Sequence, residues 1–219
     1  MIELKDIENN EKIKTFIINC QRQLDELGYT EHSTRHAKFV ATLTGNILKE
    51  FGYDERTIEL GKIAGYLHDI GNAVNRNDHA HLGAILAYYT LLEIGLDNTE
   101  AAEIMMAIGN HDEGTGTPVS PITAALILAD KSDVHKSRVR NPNKTNFDIH
   151  DRVNYSVQKS KIIPNKETKT ITLDLVIDTK ITQIMEYFEI FTYRMLLSKK
   201  AANFLGARFE LVINGNKIL

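Results

Sequence analysis

Histidine and aspartate stand side by side at positions 68 and 69, at the end of the largely apolar run Gly61 to Leu67. One neutral imidazole beside one carboxylate suits a hard-to-borderline divalent cation such as Mn²⁺, Fe²⁺ or Mg²⁺. Two other such pairs occur, His111–Asp112 and His150–Asp151, so the dipeptide alone decides nothing. What distinguishes His68–Asp69 is its company: His36 upstream, then His79, His81, His111 and Asp130 downstream, each set against hydrophobic neighbours. Phe39, Val40 and Leu43 follow His36 at helical spacing, which puts the imidazole on a core-facing stripe. Asp130 closes the apolar run Ala124 to Ala129. A buried carboxylate without a partner is costly. The bland alternative is that each inward polar group finds its own hydrogen bonds, as a satisfied core histidine does. A shared metal relieves all of these costs together.

Helices are needed to bring such residues inward, and the pattern supplies them. Ile13, Phe16, Ile17, Cys20, Leu24 and Leu27 recur at helical spacing, with Gly28 as a stop. Thr30 is expected to cap a second helix that carries His36, Phe39, Val40, Leu43 and Ile47 and ends at Gly52. Asp54 opens a third, through Ile58, Leu60, Ile63, Ala64 and Leu67 to His68–Asp69. A polar loop, 72–78, precedes a fourth helix along Leu82, Ile85, Leu86, Tyr89 and Leu92. Thr99 is expected to cap a fifth, through Ile104, Met105 and Ile108. Ser120–Pro121 is a strong helix start, a capping hydroxyl followed by proline at the first helical position. After about residue 150 the period changes. Strands are expected over 153–163 and 168–178, a helix over 181–204 and a closing strand over 208–213. The expectation is a mainly α fold: a helical domain over 1–150 and a small α+β (ββαβ) appendage with an antiparallel sheet over 151–219.

The bulk composition narrows the classes. The chain has 219 residues, 42% hydrophobic and 25% charged, a balance ordinary for a folded globular protein. A net charge of −3 gives no global basic field for nucleic acid. The single cysteine, Cys20, excludes an internal disulfide and fits a reducing compartment. No apolar stretch approaches the roughly 20 residues that span a bilayer, and residues 1–6 lack the layout of a secretory signal. A cytoplasmic protein without a membrane partner is expected.

His36, His68–Asp69 and Asp130 resemble the H…HD…D signature of the HD-domain superfamily of metal-dependent phosphohydrolases. The resemblance covers roughly residues 30 to 140 and rests on Leu67 to Asn72 and Ala129 to Asp133 in that order. It implies an all-α bundle with a metal site at its centre. It extends to the subset with two metals, which adds two histidines between the pair and the last aspartate. His79, in the context His79-Ala80-His81-Leu82-Gly83-Ala84, fits the first and is selected by the resemblance over His81; helical geometry alone leaves the two open. His111 fits the second. The stretch His111 to Pro118 is also similar to the HD-GYP branch, which hydrolyses cyclic di-GMP. It departs from that branch in having Asn110–His111 for paired histidines, fewer residues before the glycines, and Thr117 for tyrosine. Gly114 to Pro118 also fits a flexible lip over the site.

The resemblance implies that His36, His68, Asp69 and Asp130 hold one cation, with His79 and His111 completing a second and Asp69 bridging. One or two divalent ions are expected, Mn²⁺ or Fe²⁺ first, then Mg²⁺, Co²⁺ or Ni²⁺. It implies cleavage of a phosphoester or phosphoanhydride bond of a nucleotide-type substrate by a metal-activated hydroxide. Basic residues near the ligands are candidates for phosphate contact: Arg35 before His36, and Lys131 and Arg138 after Asp130, since guanidinium forks and ammonium groups suit phosphate oxygens. Lys131 lies about 100° around its helix from Asp130 and reaches the same cleft. A solvated helix end is the plain explanation for Lys136 to Arg140. Asp133 is expected to orient Lys131 or assist proton transfer, so Asp69, Lys131 and Asp133 are the candidate catalytic set. His150–Asp151 reads as surface or a helix boundary. The expected partner is a small phosphorylated molecule, and the appendage is expected either to form a homodimer through its exposed sheet edge or to close over the substrate cleft, two roles between which the sequence does not choose. The rival is a non-catalytic, metal-stabilised sensor or scaffold whose tail binds a partner.

Overall fold

The structure, a computed structural model, describes residues 2–219. A short helix α1 (Leu4–Asn9), absent from the sequence expectations, leads into α2 (Glu11–Glu26). Asn10 starts α2 by accepting from the backbone N–H groups of Lys12 and Ile13, which satisfies donors no helical carbonyl can reach. α2 buries Ile13, Ile17, Cys20 and Leu24, one apolar stripe at helical spacing. α3 (Thr34–Glu50) is capped by Ser33 rather than Thr30, because the carbonyl of Thr30 is engaged by His32 Nδ1 and the helix begins later. α4 (Glu55–Leu67) starts at Asp54 as expected. α5 (His79–Ile94) begins three residues before Leu82, and α6 (Asn98–Gly109) is capped by Asp97, which accepts from Thr99 N–H; Thr99 is therefore inside the helix. α7 (Pro121–Lys131) has Ser120 as its cap and proline in its first turn.

α7 is the axis of the bundle. Every residue from Ile122 to Lys131 is buried, and the helix packs on α3, α4 and α6. Fully burying each Leu or Ile stabilises the fold by about 1.5–3 kcal/mol, so the run Ala124 to Ala129 anchors the position of Asp130 at its end. A 3₁₀ turn, Ile70–Ala73, carries the chain from α4 onto α2 and the start of α5.

Beyond Arg138 the chain forms α8 (Ile149–Ser156), β1 (Val157–Asn165), β2 (Thr170–Ile177), α9 (Ile184–Phe204), β3 (Arg208–Ile213) and the two-residue β4 (Asn216–Lys217). Residues 153–156 are helical, not strand, because Asp148 caps a short helix through Asp151 N–H. The sheet order is β1-β2-β3-β4. It is mixed rather than antiparallel: β1 and β2 form a hairpin, but α9 crosses over and returns β3 parallel to β2. Ile171, Leu173, Leu175 and Ile177 alternate inward, and α9 rests on both this sheet and α7. One apolar cluster runs through the bundle and the appendage. No helix among the described residues is long and apolar enough to cross a membrane.

Gly71 is where the His68–Asp69 corner meets α5. A methyl there would lie well inside contact distance of the His79 carbonyl and the Gly83 backbone, so neither neighbour can yield cheaply. Gly71→Ala should lower stability by about 1–3 kcal/mol in denaturant titration. Gly109→Ala, whose methyl meets only Ala84 at an ordinary 3.5 Å, should be tolerated.

Candidate metal centre

Three of the histidines are aimed by the chain immediately before them. His68 follows the last residue of α4, and its Nδ1 lies 2.8 Å from the carbonyl of Gly65; His111 follows α6, 2.6 Å from that of Ile108; His79 opens α5, 3.1 Å from that of Arg76. Each takes a backbone carbonyl three residues upstream. His36 is aimed by a side chain: its Nδ1 sits 2.7 Å from Asp133 Oδ2. Carbonyl and carboxylate oxygens only accept, so every Nδ1 carries a hydrogen, and in the neutral imidazole each Nε2 presents a lone pair. Those lone pairs point at one another and at acids. The Nε2 atoms of His36 and His68 are 3.3 Å apart. Asp130 Oδ1 lies 3.4 Å from the first and 3.6 Å from the second. Asp69 Oδ2 lies 3.5 Å and 3.2 Å from the same two atoms, and its Oδ1 is 3.7 Å from His79 Nε2. The His111 ring packs edge-on to both His68 and His79, at 5.0 and 5.2 Å.

Such a cluster of lone pairs and acids is stable only around positive charge. Asp69 Oδ2 is buried without a hydrogen-bond partner, where an orphaned carboxylate oxygen is penalised heavily. Burial pulls the His68 imidazolium down, but Asp69 and Asp130 outweigh it and raise its pKa to about 10. Burial pushes the Asp69 carboxyl up, and His68 and His32 hold it well below the usual carboxylate range. The centre therefore takes up a proton or a metal. Two donor groups fit a cation, His36 with His68 and Asp130, and His68 with Asp69 and His111. Mixed imidazole and carboxylate donors suit Mn²⁺, Fe²⁺, Co²⁺ or Zn²⁺.

The surroundings fix these ligands. Asp133 also receives Arg35 Nη2 at 2.9 Å, and Cys20 donates its thiol to the Asp69 and Ile70 carbonyls at 3.3 Å each. Asn72 donates to Asp69 Oδ1 at 3.0 Å. Lys131 is buried, with Nζ 2.7 Å from Asp130 Oδ2 and 3.5 Å from Glu113 Oε1. Burial favours its neutral form, but those two acids keep it charged and raise its pKa. The centre opens into a cavity of about 480 Å³ lined by Asp69, His79, His111, Asp130 and Lys131.

The structure brings together His36, His68, Asp69, His79, His111 and Asp130, with Lys131 beside them. It decides between the two nearby histidines: His79 is buried against Asp69, whereas the His81 side chain is 54% exposed beside Asp78. Three expectations are corrected. Arg35 does not line the cavity; its guanidinium is bound by Glu31 and Asp133. Arg138 reaches the cavity wall, but its three nitrogens donate to the carbonyls of Glu31 and Asp133, which makes it a strap across the start of α3 rather than a free phosphate ligand. Asp133 orients His36, not Lys131. His150 and Asp151 stand in the first turn of α8, the helix boundary expected for them, and also line the far cavity wall. Sequence reasoning missed His32, Arg76, Asp112, Glu113 and Arg194, all cavity-lining. For Arg194 a signal existed: it interrupts the stripe Tyr187, Phe191, Met195 and Ser198 that α9 buries.

Residues 30–137 match the family model of the HD domain. The chain is 29% identical over 209 residues to an uncharacterized protein of Methanocaldococcus jannaschii, spanning 83% of this chain and 79% of that one. It is 39% identical over 108 residues to ribonuclease Y of Lawsonia intracellularis, a match covering 48% of this chain but only 18% of the ribonuclease. A solved structure described as a predicted HD superfamily hydrolase, from an uncultured Thermotogales bacterium, aligns with 24% identity and a TM-score of 0.45 over 61% of this chain and 75% of that one. Through residues 30–137 the chain belongs to the HD-domain superfamily.

Asp133→Asn preserves shape but removes the charge behind His36. Metal titration should show about 10–100-fold weaker binding, the usual effect of losing such an outer partner. His79→Ala should reduce the bound metal measured by elemental analysis, and His81→Ala should leave it unchanged.

Proposed function

We propose that this protein is a metal-dependent phosphohydrolase acting on a phosphoester of a nucleotide-type substrate. The observation that carries it is the convergence of His36, His68, Asp69 and Asp130 around an orphaned carboxylate oxygen, open to a cavity of molecular size. Those four residues would hold one divalent cation, with His79 and His111 beside Asp69 for a second. Bound there, the cation supplies Lewis acidity, which acidifies water and draws charge from a phosphoryl oxygen. The two oxygens of Asp69 face different imidazoles, Oδ2 toward His36 and His68 and Oδ1 toward His79, the disposition a bridging carboxylate needs. Mn²⁺ and Fe²⁺ match this donor set best.

The chain's own groups do the rest. Lys131 holds a fixed positive charge at the cavity wall and stabilises charge that builds on phosphoryl oxygens. Asp133 keeps His36 in the tautomer that offers Nε2. Asp112, with Oδ1 3.8 Å from His79 Nε2, is an acid at the cavity edge that accepts a proton from water. The likeness to ribonuclease Y supports attack at a phosphoester of nucleotide chemistry, and the cavity's volume favours a small substrate.

The test is a panel of nucleoside monophosphates, cyclic nucleotides, dinucleoside polyphosphates and short RNA with Mn²⁺, Fe²⁺, Mg²⁺ and Co²⁺. Hydrolysis is expected, lost in chelator and in Asp69→Ala together with the bound metal. Metal at 100 times its dissociation constant should add about 2.7 kcal/mol to stability. Hydrolysis that persists without metal contradicts the proposal. Silence across the panel with metal still bound favours the non-catalytic sensor or scaffold.

A further inference from the structure

The HD-domain match ends at residue 137, yet much of the cavity wall comes from later residues: Asp151 and Asn154 of α8, and Ile190, Phe191 and Arg194 of α9. Among these, Arg194 is the one fixed cation on α9 that reaches the cavity. Its Nε donates to Glu113 Oε1 at 2.7 Å, and its Cζ lies over the Phe191 ring, 4.3 Å from the ring centre. These contacts clamp one edge and one face. No protein acceptor takes either Nη group among the described residues, although the side chain is only 20% exposed. Glu113 in turn approaches Lys131, whose Nζ rests on Asp130. Arg194 is thus tied through Glu113 to the cation beside the metal ligands, with two donors left for something in the cavity.

We propose that Arg194, delivered by the C-terminal helix and positioned by Glu113 and Phe191, binds the phosphate group of the substrate at the metal centre. The inference rests on the phosphohydrolase reading and extends it: the appendage completes the substrate site. A planar fork with two free nitrogens fits two oxygens of a terminal phosphate, which favours a phosphomonoester over an internal diester. Glu113 is a positioning residue: its Oε1 accepts from Arg194 Nε at 2.7 Å and lies 3.5 Å from Lys131 Nζ, so one carboxylate holds both cations at the cavity wall.

The experiment is calorimetric titration of the metal-loaded full chain with inorganic phosphate, with metal content and melting temperature measured on each variant. Arg194→Gln should weaken phosphate binding at least about tenfold, as expected for loss of a charge-assisted pair of bonds, with metal content unchanged. Arg194→Lys keeps the charge and the Glu113 pair but loses the fork. It should fold normally and still bind phosphate more weakly than the unsubstituted chain. For any substrate found in the panel, KM should rise more than kcat falls. Phosphate affinity within twofold of the unsubstituted chain in Arg194→Lys and in any folded Arg194→Gln, with only a lower melting temperature, overturns the proposal and leaves Arg194 a structural partner of Glu113. Phosphate binding that depends on Arg194 while no phosphate ester is cleaved upholds this inference and counts against the hydrolase reading alone.

Discussion

Four imidazoles in this protein spend their Nδ1 hydrogens on outward acceptors, and the centre depends on that. His68, His79 and His111 use carbonyls three residues upstream, and His36 uses Asp133. With that hydrogen committed, the Nε2 of each neutral imidazole can only accept. Lone pairs 3.3 Å apart between His36 and His68, faced by Asp69 and Asp130, repel unless positive charge sits among them. The fold supplies enough apolar burial to hold this arrangement together, and a cation converts the repulsion into attraction.

The helix ends are where this becomes possible. A helix terminus leaves carbonyls without intrahelical donors, so a histidine just past α4 or α6 meets an acceptor at the right reach without any special side-chain partner. The bundle then needs only close approach. Gly65 lets α3 and α4 meet backbone to side, since a methyl there would strike the Ala41 backbone at 2.8 Å, and Gly71 does the same against α5. Small residues in this corner therefore belong to the site as much as the ligands do.

Much of this was legible in the sequence, for identifiable reasons. His36, His68 and Asp130 stand on strongly periodic apolar stripes, and a polar residue there has few explanations, so the inward convergence could be inferred before any coordinates. His79 against His81 could not be decided by periodicity, because both lie in the first turn of one helix; burial and Asp69 decide it. The roles of Arg35, Arg138 and Asp133 were misplaced because proximity in sequence does not say which acceptor a long side chain finds, and backbone carbonyls are invisible to pattern. The parallel β2–β3 pairing escaped because strand alternation carries no direction. Arg194 was overlooked for a different cause. The charge breaks the apolar stripe of its helix, a signal that went unused, and the packing of α9 on α7 shows what the break is for: the position faces a cavity.

The most direct measurement is anomalous diffraction from crystals loaded with Mn²⁺. The account predicts a peak within ligation distance of His36 Nε2, His68 Nε2, Asp69 Oδ2 and Asp130 Oδ1, with each Nδ1 still on its outward acceptor. A metal bound elsewhere, or these four side chains refined around no ion at saturating Mn²⁺, would contradict it.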